Sequence, residues 1–341
     1  MKHVVLAEPG RFEFGESPDP QPQPGDAIVR VDRIGVCGTD IHAFYGRQPF
    51  FDYPRILGHE LGVEIVAAPP NSGLKPGDRC AVEPYLNNPD SQASRRGKTN
   101  CCEELQVLGI HTDGGMRSHI AVPAAKLHKS DSMTLDQLAL VETLCIGAHA
   151  SARSRTRADD FVCVIGAGPI GLSVLEFVKE RTDRPIAVLD VNDARLAFVR
   201  EQLGIEHTIN LTKTENLADD LRAAAGGDLP TVLFDATGNP KSMMGTFDLV
   251  ANGSTIVFVG LFQGDASFHD PTFHRKEISL MATRNGTSAD FRTVMDAIEQ
   301  SKIDTTPWLT HRLGFEEIPA KFEAMTKEPS LVKAIIEMPG A

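Results

Sequence analysis

Long hydrophobic runs are absent from this sequence. No apolar stretch approaches the ~20 residues that a bilayer-spanning helix needs, so no membrane segment is expected. The first apolar run, Val4 to Ala7, gives way at once to Glu8, Pro9 and Gly10, and no signal peptide is expected either. Cysteine is sparse: Cys37, Cys80, Cys101, Cys102, Cys145 and Cys163 are the six in 341 residues, too few for the disulfide framework of a secreted domain. Positive charge is also scarce, with 34 basic against 46 acidic residues and a net charge of -12. The longest basic cluster is Arg95, Arg96 and Lys98, so neither nucleic acid nor an anionic membrane is an expected partner. One anionic small molecule stays compatible, because a local arginine can oppose the global sign. Internal repeats and low-complexity tracts are missing too. A cytoplasmic protein is the expectation.

What is present describes an ordinary folded chain: 41% hydrophobic residues, 22 prolines and 29 glycines. Its length suggests two domains. Up to about residue 145, Pro and Gly break the chain into short apolar alternations such as 27–31 and 61–67. Turns at 23–26 and 75–78 separate them, which predicts a β-rich, barrel-like body. The polar stretch 87–100 reads as a long loop within it. From residue 135 the spacing turns helical, with one helix at 135–144 and another through Ala148 and Ala152. From residue 160 strands (161–166, 186–190, 231–235, 255–260) alternate with helices (168–179, 195–203), the pattern of a doubly wound parallel sheet. A helix at 288–300 and a strand at 332–337 are expected to pack back on the first body.

Gly166, Gly168 and Gly171 fall between an expected strand and helix. There they permit a tight turn and close approach of a pyrophosphate to helix N-terminal N–H groups. Asp190 ends the next strand, where an acid binds a ribose 2′-hydroxyl and repels a 2′-phosphate, so NAD is expected over NADP.

A second constellation joins Cys37, Thr39 and His42 to His59 and Glu60. Thiolate and imidazole suit Zn²⁺, and a hydroxyl with a spare imidazole suits proton transfer. Taken singly, Cys37 reads equally as a small buried hydrophobe and His59 as a satisfied core histidine. Glu142, alone in the apolar stretch 138–145, is costly to bury unless it is paired or bound to metal.

In order, residues 36–42, 57–60, 111–115, 141–142, the glycine motif and 235–238 resemble the medium-chain, zinc-dependent alcohol and polyol dehydrogenases, from end to end. Residues 46–60, 259–264, 270–277 and 309–312 are most similar to the L-galactonate/L-gulonate 5-dehydrogenase group, with threonine and sorbitol dehydrogenases nearby. The resemblance implies an α/β protein. A GroES-like β-rich catalytic domain would span 1–148, a Rossmann NAD-binding domain 149–287, and a return segment 288–341.

It also implies that Cys37, His59 and Glu142 ligate one catalytic zinc, with Glu60 either binding directly or orienting the site. Thr39 and His42 match the proton relay. Pro169, Ile170, Arg195, Thr237, Gly238, Val259, Gly260, Leu261 and Arg284 join the glycine motif and Asp190 around NAD. The substrate implied is a secondary hydroxyl of a sugar acid or polyol, and the assembly a homodimer or homotetramer. One departure stands out. Where many members hold a structural zinc with four cysteines, this chain has Asn88, Ser91, Ser94 and Cys102, so no structural zinc is expected and Cys101 and Cys102 read as packed thiols. Freed of metal, this loop is expected to be more mobile. Arg47, Arg117 and Arg284 are candidates to meet a carboxylate, with a solvated surface as the plainer reading of Arg117. Phe50 and Phe51 are candidates to line the substrate cleft. A zinc-free enone or quinone reductase and a non-catalytic dinucleotide-binding protein are the rival classes.

Overall fold

A computed structural model describes residues 1–49 and 51–339, so Phe50 lies outside the described residues. The chain divides into two compact units, Met1–Cys145 with Gly286–Ala341, and Ile146–Asn285. The breaks fall a few residues before the positions expected from sequence. Helix Leu135–Ser154 is one element where two were expected. Gly147 interrupts the propensity there. Its missing side chain, however, lets the backbone of Ser173 approach, since a Cβ would lie 2.1 Å from the Ser173 carbonyl carbon.

The first unit is built on a seven-stranded sheet. Its order is Leu309–Gly314, Lys333–Glu337, Asp26–Gly35, Glu60–Ala67, Arg79–Val82 and Leu127–Ser130, with His119–Pro123 also paired to Asp26–Gly35. Neighbours are antiparallel except the first pair, which is parallel. Ala27, Val29, Val31 and Ile34 point inward along the central strand and meet Val63, Ile65 and Ile120 in one core. Alternation along each strand, weak as a signal one strand at a time, accounts for this layer.

Register decides what the sheet can assemble. Gly35 pairs with Glu60 on one side and with Ile335 on the other. Cys37, just past the end of the central strand, therefore lies level with His59 and with Lys333. Gly35 has to be glycine, because a Cβ would sit 2.1 Å from Glu60 Oε2.

Residues 87–105 leave this unit through a small stem in which Tyr85–Leu86 pairs with Gln106–Val107. The expected loop carries a helical turn, Gln92–Arg95, and a 3-10 turn, Thr99–Cys101. Ser91 caps the first by accepting from the Ser94 N–H, so residues read as loop formers act here as caps.

The second unit is a six-stranded parallel sheet ordered His207–Asn210, Ile186–Asp190, Val162–Ile165, Val232–Asp235, Thr255–Phe258, Ser279–Ala282. The chain works outward from Val162–Ile165 in one direction, then returns to its other side. The reversal puts a topological switch point between Val162–Ile165 and Val232–Asp235, where α/β sheets bind ligands. Among the described residues no helix is long and apolar enough to cross a membrane.

Candidate active site

Cys37 immediately precedes helix Gly38–Phe44, and its N–H is accepted by Asp40 Oδ2 at 2.9 Å. His59 and Glu60 arrive on the neighbouring strand. One ligand atom each from Cys37, His59 and Glu60 lies within 4.8 Å of the others, close enough to hold a metal ion between them. His59 and Glu60 are buried, and His59 Nδ1, Asp40 Oδ1 and Glu60 Oε2 have no hydrogen-bond partner. Buried polar atoms are nearly always satisfied, so three together mark a site shaped for something further. Sulfur, nitrogen and oxygen donors in that count fit zinc. Asp40 Oδ1 stands 3.8 Å from His59 Nδ1, too far for a hydrogen bond but near enough for its charge to act on the imidazole. Burial would lower the His59 pKa, but the negative charges of Cys37, Asp40 and Glu142 raise it well above its ordinary value. The pocket thus attracts positive charge, and a metal binds such a site by displacing the proton.

The two carboxylates are held differently. Glu60 Oε1 accepts from Lys333 Nζ at 2.5 Å, with both side chains buried. Burial would lower the Lys333 pKa; Glu60, Cys37 and Glu142 outweigh it and keep the ammonium charged. Glu142 is not part of the 4.8 Å cluster. It lies close enough for His59 to stabilise its charge and for Glu60 to oppose it, while burial raises its pKa. Its Oε1 accepts from the Tyr85 hydroxyl. Thr39 and His42 are three residues apart on helix Gly38–Phe44, hence on one face, with His42 exposed to solvent.

Asp40, Tyr85 and Lys333 escaped the sequence reading as site residues. Lys333 had a usable signal, since a lone lysine in an apolar strand poses the same burial problem that singled out Glu142. Tyr85 had none.

In the second unit the glycine turn follows Val162–Ile165. Gly166 has φ +97°, and a Cβ on Gly171 would lie 1.7 Å from the Gly166 carbonyl oxygen, so helix and turn close tightly only without side chains. Gly168 caps helix Pro169–Val178, with Pro169 in its first turn and Ile170 next. Asp190 accepts from the Ala167 N–H at 2.7 Å and from the Asn192 N–H at 2.8 Å, tying the second strand to the turn. Arg195 Nη1 stands 3.9 Å from Asp190 Oδ2. Thr237 and Gly238 follow the strand beyond the switch point, and the Val259 and Gly260 N–H groups donate to the Asp235 carbonyl. Val191, next after strand Ile186–Asp190, is 63% exposed, and Leu261, three residues past strand Thr255–Phe258, is 73% exposed. Arg284 is exposed after the edge strand Ser279–Ala282.

Residues aligned with the structural-zinc ligands do converge. Asn88 N–H donates to Cys102 Sγ at 3.3 Å, and the Ser91 and Ser94 hydroxyls are 3.0 Å apart. These groups satisfy one another by hydrogen bonds, and the set lacks the four soft donors such a site needs. Cys102 is buried but Cys101 is exposed, so only one of the pair is a packed thiol. Arg117 is half-buried, and its guanidinium donates to the Gly114 and Asp113 carbonyls. Arg47 stacks over the Tyr45 ring at 5.2 Å. Phe51 packs on the core and on Tyr53 at 4.8 Å.

Comparison with known proteins agrees with this geometry. Residues 23–132 match the alcohol dehydrogenase GroES-like domain, and residues 169–300 match the zinc-binding dehydrogenase family. The L-galactonate-5-dehydrogenase of Escherichia coli K12 is 38% identical over 98% of both chains. The 2-dehydro-3-deoxy-L-galactonate 5-dehydrogenase of Pseudoalteromonas atlantica is 29% identical over 93% of this chain and 92% of its own. Among solved structures, an alcohol dehydrogenase of E. coli CFT073 complexed with NADH superposes with a TM-score of 0.91 at 27% identity, covering 99% of each chain.

Proposed function

The chain belongs to the family of zinc-binding alcohol dehydrogenases with a GroES-like domain, and on that premise we propose that it oxidises a secondary hydroxyl of a sugar acid to a ketone with NAD, as a hexonate dehydrogenase. The observation that carries this reading is the Cys37–His59–Glu60 cluster, in which His59 and Glu60 are buried with unpartnered polar atoms and Cys37 is half-buried, with Thr39 and His42 on the helix that follows Cys37. Similarity to L-galactonate-5-dehydrogenase supports the substrate class.

Cys37 and His59 would hold one zinc per chain, with Glu60 and Glu142 as the carboxylates of the set, and the chemistry supplied there would be polarisation of a substrate hydroxyl and a lower pKa for it. Asp40 adds negative charge beside the His59 ring. Lys333 fixes one oxygen of Glu60 and offsets part of the surrounding negative charge. The Thr39 hydroxyl accepts the substrate proton as it gives up its own, and His42, exposed to solvent, takes that proton onward. In the second unit Gly166, Gly168 and Gly171 admit the pyrophosphate, and Asp190 selects the unphosphorylated ribose of NAD. Six free cysteines support a reducing, cytoplasmic setting. A homodimer or homotetramer is proposed on the family resemblance alone.

The test is NADH production from a panel of galactonate, gulonate, idonate, polyols and L-threonine. A hexonate should give the highest kcat/KM. Turnover of threonine or polyols alone would overturn the substrate assignment.

A further inference from the structure

We propose that Tyr85 is a positioning residue for Glu142, its hydroxyl fixing one carboxylate oxygen so that only the other is offered to a metal held by Cys37 and His59. This rests on the reading that Glu142 belongs to the zinc-binding set. Glu142 sits in helix Leu135–Ser154 with Val141, Leu144 and Cys145 fully buried around it, so solvent does little to orient its carboxylate. The Tyr85 hydroxyl donates to Oε1 from a different element, the first residue of strand Tyr85–Leu86.

The donor is itself fixed. Tyr85 is 2% exposed, and its ring meets Phe291 edge-on with centroids 6.3 Å apart. The terminal torsion of a glutamate is broad and roughly two-fold, so an untethered carboxylate presents either oxygen, or both. One hydrogen bond to a defined oxygen removes that freedom. Such outer partners typically contribute 10–100-fold in metal affinity. Strand Tyr85–Leu86 is also the stem of the 87–105 lobe.

The experiment compares zinc affinity of the apo protein, by competition with a chromophoric chelator, for wild type, Tyr85→Phe, Glu142→Gln and the double variant. Visible spectra of the cobalt-substituted forms and melting temperatures of the apo forms accompany it. Tyr85→Phe keeps the ring on Phe291 and removes only the hydroxyl. It should weaken zinc by about 10–100-fold and shift the cobalt bands while the apo melting temperature stays near wild type. The double variant should be no weaker than Glu142→Gln alone. If Glu142→Gln weakens zinc but Tyr85→Phe does not, or the two effects add, the positioning role is overturned and the ligand role of Glu142 stands. If Glu142→Gln leaves zinc affinity unchanged, the ligand reading falls and the inference falls with it.

Discussion

Around Cys37, buried polar atoms are left without partners; around Cys102, in the same unit, nearby polar groups satisfy one another. His59 Nδ1, Asp40 Oδ1 and Glu60 Oε2 lack any hydrogen bond. Asn88, Ser91, Ser94 and Cys102 instead form a closed set of N–H, hydroxyl and sulfur contacts. The two regions differ in how their polar atoms are satisfied. An unsatisfied buried set costs stability until a ligand arrives, so it persists where binding is the function. A satisfied set has nothing further to gain from a metal.

The comparison breaks most sharply at Cys37. Cys37→Ala should remove the bound zinc and reduce turnover on the order of 10³-fold or more, since a metal supplies several kcal/mol of transition-state stabilisation. Elemental analysis and a steady-state assay check this together, and activity in a metal-free variant would refute the mechanism. The converse change is to put thiols back in the lobe. Asn88→Cys, Ser91→Cys and Ser94→Cys together complete a four-thiol set with Cys102 and should raise the zinc content from about one to about two per chain. A content that stays near one would mean that the backbone of residues 88–102 does not bring these positions to tetrahedral geometry.

Much of the site was legible because its signals are chemical and ordered. Cys37, His59 and the glycine turn announce themselves by residue type, and the strands at 186–190 and 255–258 by apolar runs between turns. Glu142 was legible for a different reason, as a carboxylate in an apolar helix. What stayed hidden depends on register. Lys333 reaches Glu60 only because Ile335 pairs with Gly35, a contact between residues hundreds of positions apart. Strand Leu309–Gly314 was missed because Thr310, His311 and Arg312 dilute its apolar alternation, and pairing with Lys333–Glu337 overrides that composition. The lobe was misread as loop because Ser and Asn mark turns and caps alike.

Within the lobe, Cys102→Ala removes the acceptor of the Asn88 N–H and should destabilise the unit by about 1–3 kcal/mol in chemical denaturation. Burial pushes the Cys102 thiol pKa up, but hydrogen bonds from Ser91, the Asn88 and Glu104 backbone and Ser94 outweigh it and hold the value below its usual one. A depressed value in the folded state means that the thiolate's contribution is complete above the unfolded pKa. It is lost as pH falls through the folded one. The cost of Cys102→Ala should therefore be larger near pH ~9 than near pH ~6. A pH-independent cost would show that packing alone holds the thiol.

Cys101 is the control on that result and the smallest effect of the series. It adjoins Cys102 in sequence, at the end of the 3-10 turn Thr99–Cys101, yet its side chain is exposed. Cys101→Ser leaves the Asn88 and Ser91 contacts of Cys102 in place, and a surface exchange of this kind should change stability by no more than ~0.5 kcal/mol at any pH. If it matched Cys102→Ala in size, the lobe would depend on the vicinal thiol pair as a unit and not on the hydrogen bonds that converge on Cys102. A small effect at Cys101 with a pH-dependent one at Cys102 assigns the order of the lobe to those hydrogen bonds, which is the feature that separates it from the zinc-seeking cluster at Cys37.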